Sequence, residues 1–285
     1  MAFLWGSNFT VVKIAVLDIP ELPFNALRLL LASAAFLLTL AAREGLTRLT
    51  PREWRHVAVL GVVGQLLYQL CFMGAVTRTT VANSALIFAF TPFVVALLTA
   101  AMGHERVPPA RWIGAAVSMA GIYIVVGAGA ADPGATALGN ALAAAAMLCW
   151  AVYTVGARPM LATRSAVLVT GYSMTIGSLL YLPVAWHGLR TLHWASVRPA
   201  AWAALVLSAL LALYVAYMIW YTAVQTIGST RTSMYSNVTP IAAIAVAAIW
   251  LGEPLGARKV AGAAAVIAGL AISRIERRAM PPVET

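Results

Sequence analysis

One stretch of this chain occurs twice, as residues 91–116, TPFVVALLTAAMGHERVPPARWIGAA, and as residues 239–264, TPIAAIAVAAIWLGEPLGARKVAGAA. The copies lie 148 positions apart and share a Thr-Pro pair, a glutamate, a basic residue six positions after that glutamate, and a Gly-Ala-Ala triplet. A slightly smaller offset of 145 aligns Trp5 with Trp150. The chain therefore consists of two related halves.

The composition indicates where these halves reside. Of 285 residues, 62% are hydrophobic and 10% are charged, whereas soluble domains are about 45–50% apolar and about 25% charged. A compact soluble fold must present surface to water, so this apolar excess has to face lipid. The net charge of +10 lies mostly in short breaks between apolar runs, where it sets topology and contacts anionic headgroups. We therefore expect the lipid bilayer as a partner, and no nucleic acid.

Ten apolar runs have lengths near that of a membrane span. About 17–25 apolar residues cross a bilayer as a helix, and a β-barrel would need alternating rather than continuous runs. The sequence therefore predicts an all-α integral membrane protein with ten transmembrane helices. The runs are 2–17, 24–42, 56–76, 81–102, 111–129, 138–157, 166–186, 200–224, 229–251 and 257–275.

Five spans per half place the second half upside down relative to the first. We assign residues 1–130 to the first five-helix repeat, 138–276 to the second, inverted repeat and 277–285 to a short tail. Inverted repeats are typical of secondary transporters, because the two halves give inward-open and outward-open states of similar energy. Twelve arginines lie in the segments between or after spans that share a side of the membrane with the N-terminus, and five basic residues lie in the segments on the opposite side. This bias predicts a multi-pass protein of the cytoplasmic (inner) membrane with both termini cytoplasmic.

Two prolines lie near the middle of the fourth and ninth predicted spans. Pro92 and Pro240 each remove one main-chain hydrogen bond and free the carbonyl four residues earlier. In lipid, such a carbonyl must find a partner inside the protein. The two prolines are either a matched pair of hinges around a midplane cavity or structural kinks satisfied by neighbouring hydroxyls.

Polar and aromatic side chains lie deep within several predicted spans. Gln69 and Tyr217 occupy equivalent positions in the two halves. Polar side chains in mid-span usually face protein or water, so these two favour cavity lining over packing between helices or a place in the interfacial belt. The candidate substrate-binding residues are Asn8, Tyr68, Gln69, Asn83, Trp150, Tyr153, Tyr217, Trp220 and Asn237.

The charges that fall inside predicted spans are cationic. Lys13 and Arg28 lie near the outer ends of the first two spans, and no aspartate or glutamate lies inside a span. A carrier of hydrophobic cations generally needs a buried carboxylate, so that class is disfavoured. Lys13 and Arg28 either form an electropositive vestibule for a carboxylate or other anion, or snorkel outward and pair with Asp18 or Glu21. We expect a zwitterionic or anionic small-molecule substrate.

The duplicated loop charges favour a structural role. Glu105 and Arg111 in the first half correspond to Glu253 and Lys259 in the second. A glutamate and a basic residue at a tight turn favour the direction in which the chain enters the next helix. The alternative is that these charges take part in gating. The sequence carries neither metal-ligand spacing nor a G-x-x-x-x-G-K-[ST] phosphate loop, and no catalytic constellation at membrane depth. We expect no cofactor, no metal and no enzyme activity.

Several short motifs occur in a fixed order and carry a family resemblance. They are Leu4-Trp5-Gly6-Ser7-Asn8-Phe9, the mid-span Pro92 and Pro240, and Glu105 and Glu253 followed by Gly114/Gly121 and Gly262/Gly269. In these features the chain resembles the EamA-type branch of the drug/metabolite transporter superfamily. The resemblance implies ten helices, cytoplasmic termini and a central cavity walled by spans 1, 3, 4, 6, 8 and 9. It also implies export, or sometimes import, of amino acids and related metabolites.

The sequence thus predicts a secondary transporter, an exporter of amino acids or related small polar metabolites, working by alternating access around a midplane cavity. Two alternatives stay open. One is a non-transporting membrane scaffold or sensor. The other is a carrier for another substrate class, such as nucleotide-sugar-like or drug-like molecules.

Overall fold

The computed structural model describes residues 1–45, 47–79, 84, 87–88, 90–103, 107–126, 136–239, 241–242 and 257–273. Regular structure within these ranges is helical, and they contain no strand. We number the helices in chain order. They are α1 Ala2–Ala15, α2 Glu21–Arg43, α3 Pro51–Arg78, α4 Thr91–Ala101, α5 Pro109–Val126, α6 Ala137–Leu161, α7 Ala166–Thr191, α8 Pro199–Ile227, α9 Ser229–Met234 and α10 Ala257–Ser273. Short 3-10 helices span Trp194–Ser196 and Tyr235–Asn237.

Five of these helices (α2, α3, α6, α7 and α8) are long and apolar enough to cross a membrane. They contain 23 to 29 residues, which corresponds to about 35–43 Å at 1.5 Å per residue. The all-α class and these five predicted spans are confirmed. The described parts of the other predicted spans are largely helical too. Helix α1 ends at Ala15, two residues before its predicted end, and parts of the fourth and ninth predicted spans lie outside the described residues.

Capping residues fix the starts of two long helices, and one of these helices begins earlier than hydropathy predicts. The Thr50 hydroxyl accepts from the Glu53 N–H, and the Glu53 carboxylate accepts from the Thr50 N–H, at 3.3 and 2.8 Å. This capping box starts α3 at Pro51, five residues before the predicted apolar run. The first turn is charged, so a count of apolar residues excludes it. Ser165 similarly starts α7, where its hydroxyl accepts from the Leu168 N–H.

Two helices contain a turn that is wider than an α-helical turn. In α3 the Tyr68 N–H binds the Val63 carbonyl, and in α8 the Ala216 N–H binds the Leu211 carbonyl, five residues earlier in both cases. The two wide turns end at equivalent positions of the two halves. The π-helical segments are Val62–Leu67 and Ser208–Val215.

The wide turn of α8 leaves one carbonyl group without a main-chain hydrogen bond. This happens because the change from π to α spacing skips one acceptor along the helix. In α8 that carbonyl belongs to Ala212, and the indole Nε1 of Trp5 donates to it at 3.0 Å. The wide turn thereby ties α1 to α8.

Ion pairs join the two halves at both ends of the bundle. At one end, here called the Asp18 end, Arg198 Nε lies 2.8 Å from Asp18 Oδ2. At the other, the Glu53 end, Arg164 Nε lies 2.7 Å from Glu53 Oε1. Helix α2 runs between the two ends, which are therefore about 35 Å apart.

Helices α5 and α10 cross backbone to backbone. A Cβ added to Gly114 would lie 2.5 Å from the Gly269 carbonyl oxygen, and one added to Gly269 would lie 2.6 Å from the Gly114 carbonyl oxygen. Any side chain there would force the helices apart. Small residues permit this close approach, which supplies van der Waals packing where lipid gives helices little hydrophobic drive to associate.

Candidate functional site

A buried polar cluster surrounds Arg28, which is 1% exposed. Its guanidinium donates from Nη2 to Gln69 Oε1 at 2.8 Å, from Nη1 to Ser208 Oγ at 3.1 Å, and from Nε to Asn25 Oδ1 at 3.1 Å. Ser208 Oγ in turn donates to Asn8 Oδ1 at 2.6 Å. We call these five residues the polar cluster. It joins α1, α2, α3 and α8, and so draws on both halves of the chain.

Arg28 does not snorkel to the membrane interface. The two acidic residues that could have drawn it outward pair elsewhere, Asp18 with Arg198 and Glu21 with Arg78. Arg28 lies on the buried face of α2, which also carries Phe24 and Asn25, so its side chain points into the bundle. This position corrects the snorkelling alternative and places the charge in the interior rather than in an outer vestibule. Lys13 belongs to α1, but its side chain lies outside the described part of the chain.

An aromatic cluster lies beside the polar cluster. Trp150 is near its centre, with ring centroids 5.5 Å from Trp5, 5.1 Å from Tyr217 and 5.4 Å from Trp220. Most of these ring pairs are tilted or edge-on, the arrangement that aromatic quadrupoles favour. The members of this aromatic cluster are Trp5, Tyr68, Trp150, Tyr153, Tyr217, Trp220 and Tyr221.

One hydrogen bond connects the two clusters. Gln69 Nε2 donates to the Tyr217 hydroxyl at 3.5 Å, while Gln69 Oε1 accepts from Arg28. Gln69 and Tyr217 are both buried, and they lie 148 residues apart at equivalent positions of the two halves. The site is thus continuous from a charged group, through an amide, to a wall of aromatic rings. This arrangement is chemically suited to a small molecule that has one charged or polar end and one apolar end.

The structure brings together most of the predicted substrate-binding residues. Asn8, Tyr68, Gln69, Trp150, Tyr153, Tyr217 and Trp220 all belong to one of the two clusters. Asn237 is buried in the 3-10 turn that packs against α1 and α4, and its amide has no partner among the described residues. Asn83 lies outside the described residues.

Pro92 lies in the first turn of a described helix. Helix α4 begins at Thr91, with Pro92 in its first turn. The first helical N–H groups have no helical acceptor, so a proline there costs no main-chain hydrogen bond. Before it, the Phe90 N–H binds the Ile87 carbonyl in a tighter turn. Residues 84, 87 and 88 before it are helical as well, so the kink at Pro92 stays a prediction. Pro240 lies outside the described residues, and the hinge role of the two prolines stays a prediction.

The predicted loop charges are described in part. Arg111 is buried in the first turn of α5. Lys259 belongs to α10, but its side chain lies outside the described part, as do Glu105 and Glu253. Within the described residues, no three His, Cys, Asp or Glu side chains form a group that could hold a metal ion.

Sequence reasoning missed several members of the site. Ser208 and Asn25 each accept from Arg28, and Ser173 forms a hydrogen bond of 2.7 Å with the Tyr153 hydroxyl. Asn25 could have been found, because it lies three residues before Arg28 on the same helical face. Ser208 could not, since its partner is 180 residues away in sequence.

Comparison with known proteins identifies the family and the fold. The sequence model of the EamA-like transporter family matches residues 1–127 and 137–275. The chain is similar to YetK, an uncharacterized transporter of Bacillus subtilis. The identity is 26%, and the alignment covers 96% of this chain and 84% of YetK. The chain is also similar to a probable terminal-alkyne amino-acid exporter of Streptantibioticus cattleyicolor. The identity is 28%, and the alignment covers 97% of this chain and 91% of the exporter. A solved crystal structure, 20% identical, has the same fold with a TM-score of 0.78, covering 98% of this chain and 96% of the other. This multi-pass membrane protein belongs to the EamA-like transporter family.

Proposed function

We propose that this protein is a secondary transporter that exports amino acids or related small polar metabolites. The observation that carries the proposal is the Gln69–Tyr217 hydrogen bond, which joins the polar and aromatic clusters and draws on both halves. A site shared between two halves can be exposed to either side of the membrane as the halves move. The similarity to a probable amino-acid exporter supports the substrate class. A zwitterionic or anionic molecule suits the positive end of the site.

We further propose that the halves, 1–130 and 138–276, are inverted five-helix repeats and that 277–285 is a tail. Equivalent residues touch each other: Ser33 Oγ lies 2.8 Å from Ser178 Oγ, 145 positions later, and Ser118 Oγ donates to the Val266 carbonyl, 148 positions later. A two-fold axis between the halves would place equivalent residues side by side in this way. An axis in the membrane plane accounts for the odd number of spans per half.

The orientation follows from the charges at the Glu53 end. Arg43, Arg52 and Arg158 lie toward that end together with Arg164. Cytoplasmic segments carry the excess of arginine, so the Glu53 end faces the cytoplasm. Both termini are then cytoplasmic, in an inner membrane crossed by ten spans.

The two ion pairs between the halves fit an alternating mechanism. Asp18, between α1 and α2, pairs with Arg198 at the start of α8; Arg164, between α6 and α7, pairs with Glu53 at the start of α3. These connections and helix starts are near-equivalent in the two halves, with the signs of the charges exchanged. Each pair closes one end of the bundle, and transport requires one pair to open while the other stays formed.

Counterflow in proteoliposomes tests the function. Vesicles loaded with each of a panel of unlabelled amino acids are assayed for uptake of the labelled form. At least one amino acid should exchange faster than in protein-free vesicles, and Ser196→Ala, at an exposed position, should exchange at the wild-type rate. Absence of exchange for the whole panel would contradict amino-acid transport and leave the non-transporting scaffold and the carrier for another substrate class.

A further inference from the structure

We propose that Arg28 binds the carboxylate of the transported molecule, so that the substrate itself is the counter-ion that the described part of the chain does not provide for the buried guanidinium. This inference rests on the proposed transport function and specifies which chemical group the site recognises. Three observations carry it: the engagement of every described carboxylate elsewhere, the surplus of buried donors around Arg28, and the position of the guanidinium between the two halves.

The first observation concerns charge. Arginine cannot lose its proton in a protein, and a buried cation without a partner anion is costly. Arg28 donates to three neutral oxygens. The four acidic side chains in the described structure all bind elsewhere: Asp18 with Arg198, Glu21 with Arg78, Glu44 with Ser165 and Glu53 with Arg164. The other five acidic residues of the chain lie outside the predicted apolar runs.

The second observation concerns donors. Three of the five guanidinium N–H groups of Arg28 have acceptors. The neighbouring Asn25 Nδ2 is buried and makes no hydrogen bond of good distance and angle in the described structure. The Tyr181 hydroxyl is buried beside Asn25, and its O–H has no acceptor of good geometry there. A positive site with unused donors selects an acceptor-rich anion.

The geometry of arginine narrows the anion to a carboxylate. The planar guanidinium fork matches the two oxygens of a carboxylate in a bidentate pair. A single positive charge balances one negative charge, whereas a phosphate monoester would bring nearly two. The amide of Asn25 and the hydroxyl of Tyr181 add neutral donors to the same site. A monocarboxylate therefore fits both the charge and the donor count.

The third observation concerns access. The Arg28–Ser208 hydrogen bond crosses between the halves, whereas Gln69 belongs to the same half as Arg28. Separation of α8 from α2 would break the bond to Ser208 and uncover one guanidinium N–H. A carboxylate that replaces Ser208 as acceptor adds an opposite charge to a hydrogen bond whose donor is already charged, while Gln69 stays bound to Arg28. The rest of the molecule would then lie toward Tyr217 and the aromatic cluster.

The test compares acids with their amides on the purified full-length protein. Thermal unfolding is followed with each of the standard amino acids and L-propargylglycine, and with the carboxamide of each. We expect at least one acid to raise the Tm, and its carboxamide to bind on the order of 10- to 100-fold more weakly, because the amide has no negative charge. Arg28→Gln should abolish the shift. Arg190→Gln, which removes an exposed arginine in the last turn of α7, should keep it.

Three results would overturn the assignment: no acid stabilises the wild-type protein, the carboxamides stabilise it as well as the acids, or Arg28→Gln responds like the wild type. If Arg28→Gln does not fold, the acid–amide comparison on the wild-type protein decides alone. The transport proposal fails separately. If acids and carboxamides exchange equally well in counterflow, the role of Arg28 is rejected and the transport function stands. If the protein binds acids selectively but shows no counterflow, the role of Arg28 stands and the transport function is rejected.

Discussion

Gln69 is the residue on which the two clusters depend. Its carbonyl oxygen accepts from a buried charge, and its amide nitrogen reaches Tyr217. Hydrogen bonds to charged groups contribute about 1.5–3 kcal/mol each, more than bonds between neutral groups. Its loss therefore affects both the position of Arg28 and the contact between the halves.

Gln69→Ala should reduce counterflow at least about tenfold, since it removes an acceptor from Arg28. Tyr217→Ala should also reduce transport, because it removes a ring from the aromatic cluster as well as the hydroxyl. Tyr217→Phe keeps the ring and should retain more activity than Tyr217→Ala. Initial exchange rates, normalised to folded protein in the vesicles, measure this. Wild-type rates in Gln69→Ala and Tyr217→Ala would mean that the residues serve packing.

The position of Gln69 could be read from the sequence, but the orientation of Arg28 could not. Equivalent residues in two repeats are visible in one chain, and that equivalence pointed to Gln69 and Tyr217. A single arginine near the end of an apolar run gives the same hydropathy whether it turns inward or outward. Its direction is decided by Ser208, which no local pattern connects with it.

At the scale of the elements, the wide turns of α3 and α8 are the features that no sequence pattern predicted. The residues around the wide turns are as apolar as those of any other span. The length of the apolar runs therefore predicted both helices but not the change in hydrogen-bond spacing within them. The caps were predictable in kind, since Thr50 and Glu53 form the usual Thr-x-x-Glu box. They were missed because the spans were bounded by hydropathy.

Trp5→Phe should destabilise the protein through the wide turn of α8. The phenylalanine keeps a ring in the aromatic cluster but leaves the Ala212 carbonyl without its indole donor. An unsatisfied buried carbonyl costs about 1–3 kcal/mol, so the Tm should fall. Trp54→Phe, at a stacked but exposed tryptophan, is the matched control and should unfold close to the wild type. Equal Tm values for both variants would argue that water satisfies Ala212.

At the scale of the whole molecule, the Asp18–Arg198 and Glu53–Arg164 pairs should act in opposite directions. Asp18→Asn weakens closure at one end and Glu53→Gln at the other. Accessibility of engineered cysteines, in a background without Cys71 and Cys149, should shift toward opposite faces of the membrane in the two variants. Glu21→Gln is the control, because the Glu21–Arg78 pair lies within one half. A shift toward the same face in both variants would reject the paired-closure mechanism.

The Asp18 pair also predicts a response to pH. The hydrogen bond from the Arg198 guanidinium lowers the pKa of Asp18 below its ordinary value. The pair therefore stabilises the closed end above the ordinary pKa of an aspartate, about 3.9, and this contribution is lost as the pH falls through the lowered value. The distance between two spin labels, attached at neutral pH on opposite sides of the Asp18 end, should increase in that acid range, and Asp18→Asn should remove the dependence. A distance that is unchanged in the wild type would contradict a closing role.

The charge of Arg28 stays with the protein while the substrate moves, and this has an electrical consequence. A monocarboxylate that leaves a cell past a fixed arginine carries one net negative charge outward. An inside-negative potential of about 100 mV contributes about 2.3 kcal/mol to that movement, equivalent to a concentration ratio of about 50. Export of such an anion would then proceed uphill without a coupling ion, with the membrane potential as its source of energy. A zwitterion leaving by the same route would move no net charge and would be indifferent to voltage.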